Sequence, residues 1–222
     1  MAVDIPSRLE LPDDMHRGGR RLIRVVVAAA MRLIFRIQTE GLERFPASGP
    51  VLLVSNHRSF WDIPAVHVFV RPWIYFIAKE ELYSSWFGKR FLSWWGAIPI
   101  NRERVGLSTV RDIIGLLRKK KILSIFPEGT RVPGDADLAQ YPPHAGVISF
   151  ARRTGAAILP LAIGGRYGFR RRVRIVLGAP ISLEHLKDAK GQPLSDAAAA
   201  HHVMSATYAL IDRPYPAWQG EN

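Results

Sequence analysis

From residue 51 onward the chain repeats one pattern: a short, continuously apolar run, too brief for a helix, followed by a stretch whose apolar positions recur at helical spacing. The apolar runs fall at 51–55, 73–78, 97–100, 122–126, 157–163 and 173–177, and the helical stretches at 62–69, 81–95, 107–119, 145–154 and 195–213. Strands that are apolar on both faces must be covered on both, and the intervening helices supply the cover. The expected fold is therefore α/β, a mixed and mostly parallel sheet flanked by helices. A chain of 222 residues suffices for one such domain with a full core. We place that domain at 38–222, behind an N-terminal segment at 1–37; no internal repeat is present.

Within the N-terminal segment, residues 1–16 are rich in Pro and Asp and read as a loose lead-in. Residues 17–37 read as an amphipathic helix. Arg17, Arg20, Arg21 and Arg24 follow helical spacing and Arg32 and Arg36 continue near that face, while Leu22, Val25, Val26, Ala29 and Leu33 form an apolar stripe. Such a helix can lie flat on an anionic bilayer, and the plainer alternative packs it on its own domain with its arginines in water. No run of about 18 apolar residues exists to cross a membrane, the longest being Val25 to Met31. The acidic start does not read as a secretory signal, so the expected location is the cytoplasmic face of a membrane, peripherally bound.

Charge narrows the partners. The 31 Lys+Arg against 19 Asp+Glu give a net charge of +12, which favours acidic lipid, an acidic carrier protein or nucleic acid. No helix-turn-helix, zinc finger or RNA-binding aromatic signature is present, so nucleic acid is not expected. Zero cysteines exclude a disulfide scaffold, a thiolate zinc site and a cysteine nucleophile. Five of the six tryptophans fall between positions 61 and 95, interleaved with Tyr75, Phe76, Tyr83, Phe87 and Phe91. That cluster suits a membrane interface or the wall of an acyl-chain tunnel, and for any single ring the ordinary role is core.

Two motifs carry chemistry. In Asn56-His57-Arg58-Ser59-Phe60-Trp61-Asp62, a carboxylate five residues beyond a histidine can hold one imidazole nitrogen while the other accepts a proton. Asp62 is expected at a helix start and His57 in the turn after the first buried strand, with Asn56 tying that turn to backbone. In Phe126-Pro127-Glu128-Gly129-Thr130-Arg131, Gly129 permits positive φ, Glu128 can bond backbone or substrate, and Arg131 offers a fixed fork for phosphate oxygens. Backbone amides of 127–130 are candidates for an oxyanion hole. The ordinary readings are a structural histidine and a solvated arginine. Occurring together, the motifs point to acyl transfer onto a phosphate-bearing alcohol.

These residues resemble the glycerolipid acyltransferases whose best-known members acylate 1-acyl-glycerol-3-phosphate. The resemblance covers roughly residues 38 to 182, through Asn56–Asp62, Gly96-Ala97-Ile98-Pro99-Ile100-Asn101-Arg102, Phe126–Arg131 and Ile158-Leu159-Pro160-Leu161. It implies His57 and Asp62 as the catalytic pair, and Arg102, Glu128, Gly129, Thr130 and Arg131 as substrate-binding residues. It also implies an acyl-CoA or acyl-carrier-protein donor, a lysophospholipid acceptor and direct transfer. Val132 stands where many members have serine, and Pro143-His144-Ala145-Gly146 replaces a lysine-rich approach to glycine, both near the expected acceptor side. No Gly-x-Ser-x-Gly elbow, Walker A, dinucleotide fingerprint or zinc spacing is present, so neither cofactor nor metal is expected. The competing readings are the same chemistry on glycerol 3-phosphate or another lyso-lipid, and a non-catalytic basic module.

Overall fold

The computed structural model describes residues 17–46, 49–70, 73–101 and 106–220. A seven-stranded sheet runs in the order β1 (Arg36–Glu40), β7 (Arg172–Leu177), β6 (Ala157–Gly165), β2 (Val51–Ser55), β5 (Ile122–Ile125), β3 (Ile74–Lys79) and β4 (Ala97–Ile100). Every neighbouring pair is parallel except β6 with β7, so β1 and β7 run against the other five. The mixed, mostly parallel α/β sheet is thus as expected.

Side-chain alternation decides what covers each face. On β2, Leu52 and Val54 enter the cluster that packs α4 (Leu107–Arg118), α5 (Gly146–Thr154) and α6 (Asp196–Ala209), while Val51 and Leu53 face the side of α1 (Arg17–Ile34) and α2 (Asp62–Phe69). Leu52, Leu53, Leu123 and Leu159 are fully buried, each contributing about 1.5–3 kcal/mol of transfer free energy before entropy is counted. The short α3 (Trp86–Trp95) joins the α1 side, its Trp95 buried with Phe76, Tyr83 and Ala97.

Two local readings change. The N-terminal helix stops at Ile34, and Arg36 and Ile37 instead open β1, whose sequence Arg-Ile-Gln-Thr-Glu has no apolar run because it is a mostly exposed edge. The helix docks through Ala28 and Met31, with Arg24 donating to the Val70 carbonyl at 2.8 Å. Its expected apolar stripe faces outward: Leu22, Val25, Val26 and Leu33 are all exposed. No helix among the described residues is long and apolar enough to cross a membrane.

Candidate active site

Because β2, β5, β6, β3 and β4 run the same way, their C-terminal ends share one edge of the sheet, the place where open α/β sheets gather their sites. Both chemical motifs leave from that edge, His57 after β2 and Glu128 after the neighbouring β5.

Asp62 opens α2 and is fully buried. Its Oδ2 accepts from His57 Nδ1 at 2.9 Å and from the backbone N–H groups of Arg58 at 2.6 Å and Ser59 at 2.7 Å. Three donors on one oxygen require it to act as acceptor, so Nδ1 carries the hydrogen and Nε2 is the basic nitrogen. The imidazole stacks on Phe126 with centroids 4.3 Å apart, which fixes its plane. Asn56 is held from the far side: its Nδ2 donates to the Ile163 carbonyl at 3.1 Å and its Oδ1 accepts from the Ile163 N–H at 2.8 Å. It therefore clamps the turn to β6 and not to the turn's own backbone.

The second motif is knitted to the first. The His57 N–H donates to Glu128 Oε2 at 2.7 Å, and the Val132 N–H donates to the His57 carbonyl at 2.7 Å. Tyr208, from α6, donates to the other Glu128 oxygen. Glu128 is buried and both its oxygens are engaged by the protein, so it positions the histidine backbone and presents no oxygen toward the expected substrate. Burial pushes its carboxyl up to about 7, against the opposing pull of the Tyr208 and His57 hydrogen bonds.

Gly129 sits at φ +65°, and a Cβ there would stand 2.8 Å from His144 Nε2. Two constraints thus require glycine, the left-handed backbone and the approach of His144. The Gly129 amide donates to the Phe126 carbonyl, closing the turn. Thr130 and Arg131 are exposed. Arg102 lies outside the described residues. Val132 is fully buried in the core, so the departure from serine serves packing and does not face the acceptor, whereas His144 does stand in the cavity wall.

That cavity holds about 510 Å³ and is bordered by His57, Phe126, Pro127 and Gly129, with His144, Ser149 and Arg153 as its other polar lining side chains. Its body is aliphatic: Ile77 from β3, Ile100 from β4, Val110 and Ile113 from α4, Ile125 from β5 and Val147 from α5, with Phe150. The volume suits a small-molecule site, and the lining suits a hydrocarbon chain. None of the tryptophans borders it; its wall is built of branched aliphatics drawn from five elements. Trp95 is core, Trp73 and Trp94 are half-buried, and Trp61 and Trp86 are exposed. Among the described residues, no cluster of His, Cys, Asp or Glu is arranged to hold a metal ion.

The family model described as Acyltransferase matches residues 36–164, more than half of the chain. A 1-acyl-sn-glycerol-3-phosphate acyltransferase of Bacillus subtilis is 30% identical over 146 residues, covering 63% of this chain and 70% of that protein. The human 1-acyl-sn-glycerol-3-phosphate acyltransferase alpha is 30% identical over 139 residues, covering 60% of this chain and 47% of the relative. The chain thus spans most of the bacterial relative's length and about half of the human one's. The crystal structure of the 1-acyl-sn-glycerophosphate (LPA) acyltransferase PlsC from Thermotoga maritima superposes with a TM-score of 0.67, covering 89% of this chain and 81% of that one. At 22% identity that likeness speaks to the fold alone.

Proposed function

This chain belongs to the acyltransferase family and is an O-acyltransferase, and we propose that it moves a fatty acyl group from an acyl thioester to the free hydroxyl of 1-acyl-glycerol-3-phosphate, giving phosphatidic acid for phospholipid synthesis. The observation that carries the reading is the buried His57–Asp62 pair, whose His57 borders a mostly aliphatic cavity. A hydroxyl is a poor nucleophile at neutral pH and needs its proton removed as it attacks.

Asp62 holds Nδ1–H, and Nε2 takes the proton of the acceptor hydroxyl as its oxygen bonds to the thioester carbonyl carbon. The tetrahedral intermediate collapses with cleavage of the carbon–sulfur bond, and the imidazolium returns the proton to the departing thiolate. Atoms and charge balance with no covalent enzyme intermediate, in keeping with the absence of cysteine and of a serine elbow. The acyl chain occupies the aliphatic cavity. Arg131, with Arg102 and Thr130, holds the acceptor phosphate, for a planar guanidinium can donate two parallel bonds to it. The donor is acyl-CoA or acyl-carrier protein, either of which brings phosphate to a basic protein.

The enzyme works at an anionic membrane surface on the cytoplasmic side, bound through the outward apolar stripe of α1. The test is an acceptor screen read by lipid mass spectrometry, run with the wild type and His57→Ala. Transfer to 1-acyl-glycerol-3-phosphate that vanishes in the variant, with circular dichroism unchanged, is the expected outcome. Wild-type rates in the variant would overturn the mechanism, and preference for another acceptor would reassign the substrate.

A further inference from the structure

The turn from β6 to β7 carries Gly165-Arg166-Tyr167-Gly168-Phe169-Arg170-Arg171-Arg172, and its tip exposes Phe169 at 80% amid four exposed arginines. A large apolar ring in water within such a charge cluster is not a core fragment. The loop is tightly built: Gly165 at φ +82° has the Arg172 carbonyl 2.2 Å from where a Cβ would sit, the Arg171 N–H donates to the Gly168 carbonyl, and the Arg170 N–H donates to the Ile34 carbonyl at the end of α1. Phe35 joins it to the motif loop, with ring centroids 5.2 Å from Tyr167 and 5.4 Å from Trp61, beside the exposed Phe60. Segments 17–36, 58–61 and 165–172 together contain arginines and no acidic residue.

We propose that the β6–β7 tip, with Phe60 and Trp61, is a second lipid-contacting element that inserts Phe169 among anionic headgroups and brings the His57 loop against the bilayer. This rests on the membrane-surface reading given above and adds a site to it. The occupant is an anionic bilayer, argued from charge complementarity and from continuity with the outward stripe of α1. Rings with a wet edge and arginine stems suit the headgroup level.

The experiment measures partitioning of the full chain onto phosphatidylglycerol-containing and pure phosphatidylcholine vesicles, for wild type, Phe169→Ser, Arg170→Gln/Arg171→Gln and, separately, Leu22→Ser/Val26→Ser in α1. One arginine near an anionic surface is worth about a factor of 5, so the double charge variant is expected to bind anionic vesicles about 30-fold more weakly. Phe169→Ser is expected to lose several-fold, with turnover of detergent-dispersed substrate unchanged in both. Normal vesicle binding by both tip variants while the α1 variant loses it would overturn the tip and leave the membrane reading standing. A wild type that ignores anionic vesicles would overturn both.

Tyr167, in the same loop, turns inward and supports an independent inference. Asp62 Oδ1 and Tyr167 Oη are each buried without a hydrogen-bond partner, and Tyr167 lines one cleft with Arg58 and Ser59, the two residues whose amides donate to the other Asp62 oxygen. Burial first, then Asp62, holds the phenol protonated well above the ordinary tyrosine range. The geometry points to Tyr167 as a positioning residue, its hydroxyl donating to Asp62 Oδ1 and leaving Oδ2 for His57.

Tyr167→Phe keeps the ring against Phe35 and removes only the donor. One such bond corresponds to about fivefold in rate, so kcat is expected to fall about fivefold with both KM values within about twofold. A carboxylate with one donor fewer holds the imidazolium proton longer, so the acidic limb of the pH–kcat profile is expected to move to higher pH. Wild-type kcat with an unmoved limb would overturn the assignment.

Discussion

Asp62→Asn is the most discriminating single change. The asparagine has one oxygen and one NH₂ where the carboxylate has two oxygens. The Arg58 and Ser59 amides, at 2.6 and 2.7 Å, demand an acceptor at the Oδ2 site, since an NH₂ there would meet three donors. The amide oxygen therefore takes that place, and the NH₂ falls at the Oδ1 site, where the Tyr167 hydroxyl can turn from donor to acceptor. His57 keeps an acceptor for Nδ1–H, so tautomer and ring plane survive. What disappears is the negative charge opposite the imidazolium that forms during attack. Two unit charges about 4 Å apart at an effective dielectric near 20 attract by about 4 kcal/mol, a ceiling of about 10³ in rate. Asp62→Asn is expected to lower kcat by about 10² to 10³ with KM little changed and the urea midpoint nearly wild type. Asp62→Ala strands three donors at about 1–3 kcal/mol each, so it is expected to be markedly destabilised as well as inactive. Thiol release from the acyl donor, followed at saturating donor with acceptor in mixed micelles, gives the rates. Asparagine as inactive as His57→Ala would refute the retained tautomer, and asparagine within about twofold of wild type would refute the role of charge.

Further outcomes follow from the second motif. Glu128 has its carboxyl raised to about 7 from 4.5, so the native state binds its proton more tightly than the unfolded chain does. Its stabilising effect is full below about pH 4.5 and is lost as pH rises through about 7, by about 3 kcal/mol, and Glu128→Gln is expected to flatten that slope in urea titrations from pH 5 to 8. Equal slopes would remove Glu128 as the source. Gly129→Ala forces a Cβ into left-handed backbone at about 1–2 kcal/mol and onto His144, so adding His144→Ala is expected to recover only the steric part of the lost thermal stability. Strict additivity of the two changes would deny the contact. Arg131→Ala is expected to raise the acceptor KM by about 10-fold and to erase preference for 1-acyl-glycerol-3-phosphate over monoacylglycerol, whereas lysine restores part of it. An unchanged preference would take the phosphate away from Arg131.

The buried strands and the contact between His57 and Asp62 were legible because each rests on local pattern: continuous apolar runs, and a five-residue spacing across a helix start. What was hidden depends on distant chain. β1 is an edge strand of polar residues that exists because β7 pairs with it, and no apolar run announces it. The docking face of α1 was ambiguous because Ala28 and Met31 are as apolar as the stripe that stays outside. Glu128 in a glycine turn reads as a surface group until the fold brings Tyr208 from 80 residues away. Tyr167 carries no motif, and only the loop that returns it to Asp62 singles it out. The aromatic-rich segment drew attention from the aliphatics that line the cavity, since those come singly from five elements.

The Tyr208–Glu128–His57 relay also bears on how the protein is made. Translation delivers α1 before the histidine turn, but the residue that completes the glutamate's partners arrives with α6, 80 residues after the glutamate itself. A nascent chain therefore shows its greasy outer helix long before its active centre can set, and contacts this distant in sequence form late. Until α6 packs, the His57 turn lacks the tyrosine that completes the partners of Glu128, so the centre sets only after the far end of the fold has closed over it.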